Sequence, residues 1–336
     1  MHQRRNAFRA ETHDVRDNMI KVKSTSLDFG KTDRDPIDLL IANGCAFESV
    51  QIDANSEEQG IEVTRDADVL IVGLQRITER VLDAAKGLRV IGRCGVGLDN
   101  IDLRATGARG IPVVYTPGAN AQTVADLTLG LMLALARKIP QADRMTRDRQ
   151  WKRIMGNDIW GKTLGICGLG QIGLNVAKRA KGFDMNVIAC DLFENPPLAA
   201  ERGIRYKGKG EILAESDFIT LHLPLTAETR GFIGIDELKA MKKSAILVNT
   251  SRGGIVDENA LYRALKEGEI AGAALDVFEC EPPGKTPLVE LDNFVGTPHI
   301  GGITTEAISR IGMTIARDIV AILNGRPPKF PAPRIC

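Results

Sequence analysis

No excess of either charge marks this 336-residue chain: 44 lysines and arginines balance 43 aspartates and glutamates, leaving a net charge of +1. That balance offers no basic footprint for nucleic acid and no acidic tail. Long apolar runs are missing as well. The longest, Leu127 to Ala136, lies between Asp126 and Arg137 and is too short to span a bilayer, so no membrane association is expected. The first 19 residues are charged throughout and lack the apolar centre of a signal peptide; they read as a disordered extension. Six cysteines (Cys45, Cys94, Cys167, Cys190, Cys280, Cys336) are widely spaced, with no CxxC pair and no Cys/His cluster. Neither a metal site nor a disulfide framework is expected, and a reducing compartment fits best. Cys167 and Cys190 stand in apolar, strand-like runs and read as small core residues. These absences together point to a soluble, cytoplasmic protein. No short repeat or low-complexity tract appears apart from a proline-rich tail at 327–333.

What is present is alternation. Val69–Val72, Arg89–Gly92, Pro112–Tyr115, Leu164–Cys167, Asn186–Ala189, Phe218–Leu221 and Ala245–Val248 are short apolar, largely β-branched runs. Between them lie helical patterns at Thr78–Ala85, Ile172–Gly182, Ile235–Met241 and Glu258–Glu267. This order predicts α/β architecture with parallel sheets covered by helices on both faces, and the length predicts two domains. Two stretches read as crossings between domains: the segment from Gly97 to Thr116-Pro-Gly-Ala-Asn120, and Thr297-Pro298. The chain would then return to its first domain for a C-terminal helix, Thr304–Leu323, with a ligand cleft between the domains. The helix Gln122–Arg137 is apolar nearly all round, so it must be buried on most faces; a subunit interface is one way to bury it.

Gly168-Leu-Gly-Gln-Ile-Gly173 follows the strand run ending at Cys167 and opens a helical pattern. In that context the glycines permit a tight turn and close backbone approach to a pyrophosphate, with free N–H groups of a helix N-terminus facing the phosphates. The alternative use of such a turn is helix–strand packing alone. The next strand run is followed by Asp191, whose carboxylate suits ribose hydroxyls and repels a 2′-phosphate. Leu192, Phe193 and Glu194 offer no arginine to welcome that phosphate, so NAD is favoured over NADP.

Of four histidines, His2 and His13 lie in the extension, leaving His222 and His299. His222, in Leu221-His-Leu-Pro-Leu225, reads as structural or cofactor-lining. His299, in Val295-Gly-Thr-Pro-His-Ile-Gly-Gly302, follows a proline among glycines that leave clearance beside it. Arg252 in Asn249–Gly254 and Glu281 in Asp276–Pro282 stand at or just beyond the ends of strand-like runs, where open α/β sheets bind ligands. An arginine there can hold a carboxylate bidentately, and a carboxylate bonded to an imidazole stabilises its protonated form. Each alone would pass for a surface ion pair; together they form an anion holder, an orienting acid and a proton donor.

These motifs, with Gly92-Arg-Cys-Gly-Val-Gly-Leu-Asp-Asn-Ile-Asp102, make residues 20–325 similar to the D-isomer-specific 2-hydroxyacid dehydrogenases, in particular the D-3-phosphoglycerate dehydrogenase-like branch. The resemblance implies a Rossmann cofactor domain, residues 101–298, inserted into a flavodoxin-like substrate domain, 20–100 and 299–336, in a homodimer. It implies interconversion of a D-2-hydroxy acid and its 2-oxo acid, with Arg252, Glu281 and His299 as the catalytic residues. It also implies NAD contacts from Gly168, Gly170, Gln171, Ile172, Gly173, Asp191, His222, Pro224, Thr229, Thr250, Arg252, Asp276, His299 and Gly301, and substrate contacts from Gly73, Leu74, Gly95, Val96, Gly97, Arg252 and His299. Members acting on 3-phosphoglycerate typically carry an Arg-Ser loop where this chain has Gly73-Leu-Gln-Arg-Ile-Thr78, which keeps hydroxypyruvate and glyoxylate as alternative substrates. The chain stops soon after the return helix, so serine feedback through a C-terminal regulatory domain is not expected. An NAD-sensing corepressor-like binding protein is the reading from another class. Glutamate at 281, where formate dehydrogenases carry glutamine, disfavours that subgroup.

Overall fold

Val69, Leu70, Ile71 and Val72 are all fully buried, which a strand achieves only when both faces of its sheet are covered. The computed structural model, which describes residues 19–333, builds two sheets of this kind. The extension expected over 1–19 lies, apart from Met19, outside the described residues. The chain divides into two compact units, one running to Ala119 and resuming at Thr305, the other spanning Asn120–Thr304.

The first unit carries β1 (Ile20–Ser24), β2 (Cys45–Ser49), β3 (Val69–Val72), β4 (Val90–Arg93) and β5 (Val113–Val114) in the order β2-β1-β3-β4-β5. The second carries β6 (Thr163–Cys167), β7 (Asn186–Cys190), β8 (Arg205–Tyr206), β9 (Phe218–Leu221), β10 (Ile246–Asn249), β11 (Gly272–Leu275) and β12 (Phe294–Gly296) in the order β12-β11-β10-β9-β6-β7-β8. All neighbouring strands are parallel, and helices alternate with them along the chain. These are the two doubly wound sheets the alternation predicts. In the second sheet the order reverses at β6, so the carboxyl end of β6 is the switch point where ligands bind in such sheets.

The cofactor domain 101–298 that the resemblance implies starts and ends earlier than the second unit, whose first residue, Asn120, closes the segment read from sequence as a crossing. β5 pairs with β4 through Ile91–Val113 and Gly92–Val114, so the chain is still in the first sheet at Val114 and in the first unit until Ala119. At the other end, Ile300 and Gly301 donate their N–H groups to Asp276, which keeps His299 and its loop in the second unit.

The return helix Thr305–Leu323 packs Ile315, Ala316 and Ile319 against Val22, Ile71 and Val90 of the first sheet. It comes so close that a Cβ on Gly92 would lie 2.7 Å from Ile315. Beyond it, Asp318 accepts the N–H groups of Lys329 and Phe330, and Ala332 donates to the carbonyl of Val113, so the tail lines the β5 edge. In the second unit, the apolar helix Ala121–Ala136 buries Val124, Leu129, Leu131, Met132 and Leu135, most of them in one core with Leu164, Ile166 and Val248. The burial that its composition demands is largely supplied within its own unit. Among the described residues, no helix is long and apolar enough to cross a membrane.

Candidate active site

Six adjacent strands of the second sheet, in the order β12-β11-β10-β9-β6-β7, bring their carboxyl ends to one edge. β6 runs into Gly168, whose φ of +96° and close approach to the His222 carbonyl (2.5 Å from a would-be Cβ) leave no room for a side chain. Gly173 is equally constrained, because a Cβ there would stand 2.2 Å from the Gly168 carbonyl oxygen. At Gly170, by contrast, a Cβ would meet nothing within 4 Å. Gly170 precedes the helix Gln171–Ala180, and no side chain caps that end. A tight turn, an open outer side and uncapped amides are what a pyrophosphate needs. Asp191, after β7, is tied to this turn: its Oδ2 accepts the Leu169 N–H at 2.6 Å and its Oδ1 the Phe193 N–H at 2.9 Å. The residues present therefore fit a dinucleotide.

Arg252 follows β10, Asp276 and Glu281 follow β11, and His299 follows β12. The Arg252 loop is braced by Asn249, whose Oδ1 accepts from Ser251 and whose Nδ2 donates to the Arg252 carbonyl at 2.8 Å. Gly253 presses on the next loop so tightly that a Cβ would fall 1.9 Å from the Phe278 carbonyl. Thr250 turns inward, its hydroxyl 3.0 Å from that of Thr128.

His299 has a left-handed backbone, φ +53°, a conformation that costs an L-residue about 1–2 kcal/mol. Asp276, only 1% exposed, holds it there. Its Oδ1 accepts the Thr297 hydroxyl at 2.6 Å and the Ile300 N–H at 2.8 Å, its Oδ2 the Gly301 N–H at 2.8 Å, and its backbone carbonyl the His299 N–H at 2.9 Å. The imidazole then meets Glu281, Nδ1 to Oε2, at 2.7 Å. An ionised carboxylate only accepts, so Nδ1 carries the hydrogen and Nε2 is the nitrogen left to exchange a proton. Burial alone pushes the Glu281 carboxyl up. The His299 bond and charge, the Phe278 N–H and the Arg252 charge together hold it below its usual range. Replacing Glu281 by Gln keeps an acceptor but removes the charge that favours the imidazolium. Glu281→Gln should therefore reduce 2-oxo acids more slowly than the parent chain at equal NADH saturation; an unchanged rate contradicts the pairing.

His222 behaves differently. Neither ring nitrogen has a protein partner and both are shut from solvent, so burial lowers its pKa to about 3. It is neutral at physiological pH and unsuited to donating a proton there, which separates it from His299. A histidine held neutral in the fold but free to charge when unfolded costs stability as pH falls below its ordinary value near 6.5. The expected slope is about 1.4 kcal/mol per pH unit between pH 6 and 4, and His222→Gln should flatten it. Denaturant midpoints across that range measure this, and parallel curves for the two proteins would refute it. Thr229, another residue of the implied cofactor set, donates its hydroxyl to the Pro224 carbonyl at 2.6 Å and closes the turn after β9.

The implied substrate residues Gly73, Leu74, Gly95, Val96 and Gly97 belong to the first unit, just beyond β3 and β4. Two residues of the Gly92–Asp102 motif to which no role was given, Arg93 and Asn100, knit these loops. Asn100 donates to the carbonyls of Gly73 and Gln75 at 3.1 and 2.6 Å and accepts from Arg93 Nε at 3.1 Å. The buried Arg93 guanidinium lies 2.5 Å from where a Cβ of Gly95 would stand. An arginine ending the apolar run Val90-Ile-Gly92 is the one trace of this brace in the sequence.

Comparison with known proteins agrees with this arrangement. Residues 129–301 match the D-isomer specific 2-hydroxyacid dehydrogenase, NAD binding domain family. The chain is 49% identical over 274 residues to a D-3-phosphoglycerate dehydrogenase of Methanocaldococcus jannaschii, covering 80% of this chain and 52% of that protein. It is 45% identical over 276 residues to a glyoxylate reductase of Korarchaeum cryptofilum, covering 80% and 83%. The chain thus spans about half the length of the phosphoglycerate dehydrogenases it matches, and most of the glyoxylate reductase. Among solved structures, the TT0316 protein of Thermus thermophilus superimposes with a TM-score of 0.86 at 38% identity, covering 93% of this chain and all of that one. The sheet order, the glycine turn with its acid, and these matches lead to one conclusion: the chain belongs to the D-isomer specific 2-hydroxyacid dehydrogenases.

Proposed function

We propose that the chain is an NAD-dependent dehydrogenase that interconverts a D-2-hydroxy acid and its 2-oxo acid. The observation that carries this reading is the His299–Glu281 pair at 2.7 Å, on the sheet edge that also presents Arg252 and the dinucleotide turn. The Gly168–Gly173 turn and the amides of Gln171 and Ile172 hold the pyrophosphate; Asp191 takes the ribose, with His222, Pro224, Thr229, Thr250 and Gly301 lining the cofactor. Asp276 serves the nicotinamide side chiefly by fixing the 297–301 loop. Bound NAD supplies the hydride acceptor, and NADH the donor.

In the reducing direction, protonated His299 gives the Nε2 proton to the carbonyl oxygen, and Glu281 stabilises the imidazolium beforehand. Arg252 holds the carboxylate and opposes the negative charge developing on oxygen. In the oxidising direction neutral His299 removes the hydroxyl proton. Gly73, Leu74 and the amides of Gly95, Val96 and Gly97 are retained as contacts for the substrate acid, as the family implies.

3-Phosphoglycerate and 3-phosphohydroxypyruvate form the preferred substrate pair, with the exposed Arg76 available to a phosphate. Hydroxypyruvate or glyoxylate is the second reading, favoured by 45% identity over 276 residues to a glyoxylate reductase. Oxidation of NADH against 3-phosphohydroxypyruvate, hydroxypyruvate, glyoxylate and branched 2-oxo acids decides between them. NADH binding without turnover on any of these would replace the enzyme by an NAD-sensing protein.

A homodimer completes the proposal. Trp151, Met155 and Trp160 are 93%, 86% and 69% exposed, so both tryptophans of the chain stand on one stretch without regular structure. Exposed apolar clusters of this kind mark association surfaces. Sedimentation equilibrium giving only the single-chain mass at micromolar concentration would remove the dimer. Cytoplasmic placement is supported by the five unbridged cysteines among the described residues.

A further inference from the structure

Two cysteines meet where the sheet enters the dinucleotide turn. Cys167 ends β6, Cys190 ends β7, and they are register partners. Partnered positions on parallel strands project to the same face, here the face covered by Ile188, Ile212 and Leu213. Neither thiol is in a disulfide. Cys167 is buried, whereas Cys190 keeps partial access to solvent. Neighbouring strands lie about 4.8 Å apart, within the Cα separations that disulfides bridge.

The residues that follow them are Gly168 and Asp191. The Gly168 N–H donates to the Cys190 carbonyl at 2.9 Å, and the Leu169 N–H to Asp191. Any change in the spacing of the two strand ends is therefore transmitted to the turn.

We propose that Cys167 and Cys190 are an oxidisable dithiol, a modification site for hydrogen peroxide whose closure to a disulfide weakens dinucleotide binding. This rests on the cofactor reading above and adds a control to it. The Cys190 sulfur attacks one peroxide oxygen and the O–O bond breaks. Cys190 becomes a sulfenic acid, and the departing hydroxide takes the thiol proton to leave as water. The Cys167 sulfur then attacks the Cys190 sulfur, the S–O bond breaks, and hydroxide leaves with the Cys167 proton as a second water. Two thiols lose two electrons and two protons; one peroxide is reduced to two waters.

The order of attack follows from the surroundings. Interaction with Cys190 and burial hold the Cys167 thiol well above its ordinary range, while interaction with Cys167 holds the Cys190 thiol below it despite partial burial. Lys209 adds positive charge beside both. Cys190 is thus the reachable nucleophile and Cys167 the resolving partner. Disulfides need Cβ atoms about 3.8 Å apart, roughly 1 Å closer than the strand spacing, so closure draws the strand ends together. The turn cannot absorb this freely, because Gly168 and Gly173 already sit at contact limits.

The test compares reduced and peroxide-treated protein. Cys167 and Cys190 fall on separate tryptic peptides, residues 163–178 and 182–202, so a linked pair is read directly by mass. NADH affinity is read by fluorescence titration. Expected are the linked pair, affinity weakened by at least about tenfold, recovery with dithiothreitol, and no peroxide response of affinity in Cys190→Ser. Three results overturn the proposal: no link although the exposed Cys280 has been oxidised, a linked protein that binds NADH as tightly as the reduced one, or an equal loss of affinity in Cys190→Ser. Should the reduced parent chain itself fail to bind NADH, the cofactor reading falls, and the control with it. The mass measurement needs only the parent chain, so an unstable variant does not block the decision.

Discussion

His299→Ala should lower the rate of 2-oxo acid reduction by about 10²- to 10⁴-fold, the contribution of a positioned acid/base group, while NADH affinity changes little. The separation follows from the layout of the sheet edge. His299 extends from β12, whereas the dinucleotide turn is built at β6 and β7, and neither Gly168 nor Asp191 bonds to the 297–301 loop. Single-turnover kinetics should place the loss in the chemical step, with the NADH dissociation constant from fluorescence as the companion reading. A variant within a few-fold of the parent rate would remove His299 from the mechanism.

Asp276→Ala should be the costliest single change for stability. It deletes the acceptor of the Thr297 hydroxyl and of the Ile300 and Gly301 N–H groups at a site nearly closed to water. A buried donor left without its acceptor costs about 1–3 kcal/mol; because the three lie in one network and do not add fully, a loss of about 3 kcal/mol or more is expected in urea unfolding. Turnover should fall as well, since nothing else matches Asp276 in holding the left-handed His299 backbone. Asp276→Asn keeps one acceptor oxygen and should fall between the parent and Asp276→Ala in both readings. Stability of Asp276→Ala within 1 kcal/mol of the parent chain, on the scale of ordinary surface substitutions, would show that the loop is held by other means.

Sequence periodicity located the central strands because they are buried on both faces. Val69–Val72, Phe218–Leu221 and the run ending at Cys167 consist of residues that have few other places to go. It missed the edge strand β2 and its neighbour β1, where Lys21, Lys23 and Glu48 interrupt the apolar pattern, the short β8 and β12, and β11, whose Gly-Ala-Ala-Leu lacks β-branched residues because helices and loops press close on it. Arg252, Glu281 and His299 were legible because each lies in a motif whose chemistry is particular to its residue type. The weight carried by Asp276 was not. From the family it reads as a cofactor contact, whereas its four bonds to the 297–301 loop depend on a turn whose geometry no local pattern encodes. Arg93 and Asn100 were overlooked for a related reason, since their roles exist only once two loops distant in sequence are adjacent.

The return of Thr305–Leu323 to the first sheet also bears on how the molecule is made. The second unit is one unbroken stretch of chain, while the first needs its beginning and its end. During synthesis, Val22, Ile71, Val90 and the bare Gly92 face remain without the side chains of Ile315, Ala316 and Ile319 until residues 305–323 have emerged. The inserted unit can complete its core first, and the half-built sheet waits with apolar surface open to the solvent, the kind of interval in which chaperones bind and aggregation begins. Substitutions at Ile315 or Ile319 would then show themselves first in the yield of folded protein, ahead of any change in the chemistry at His299.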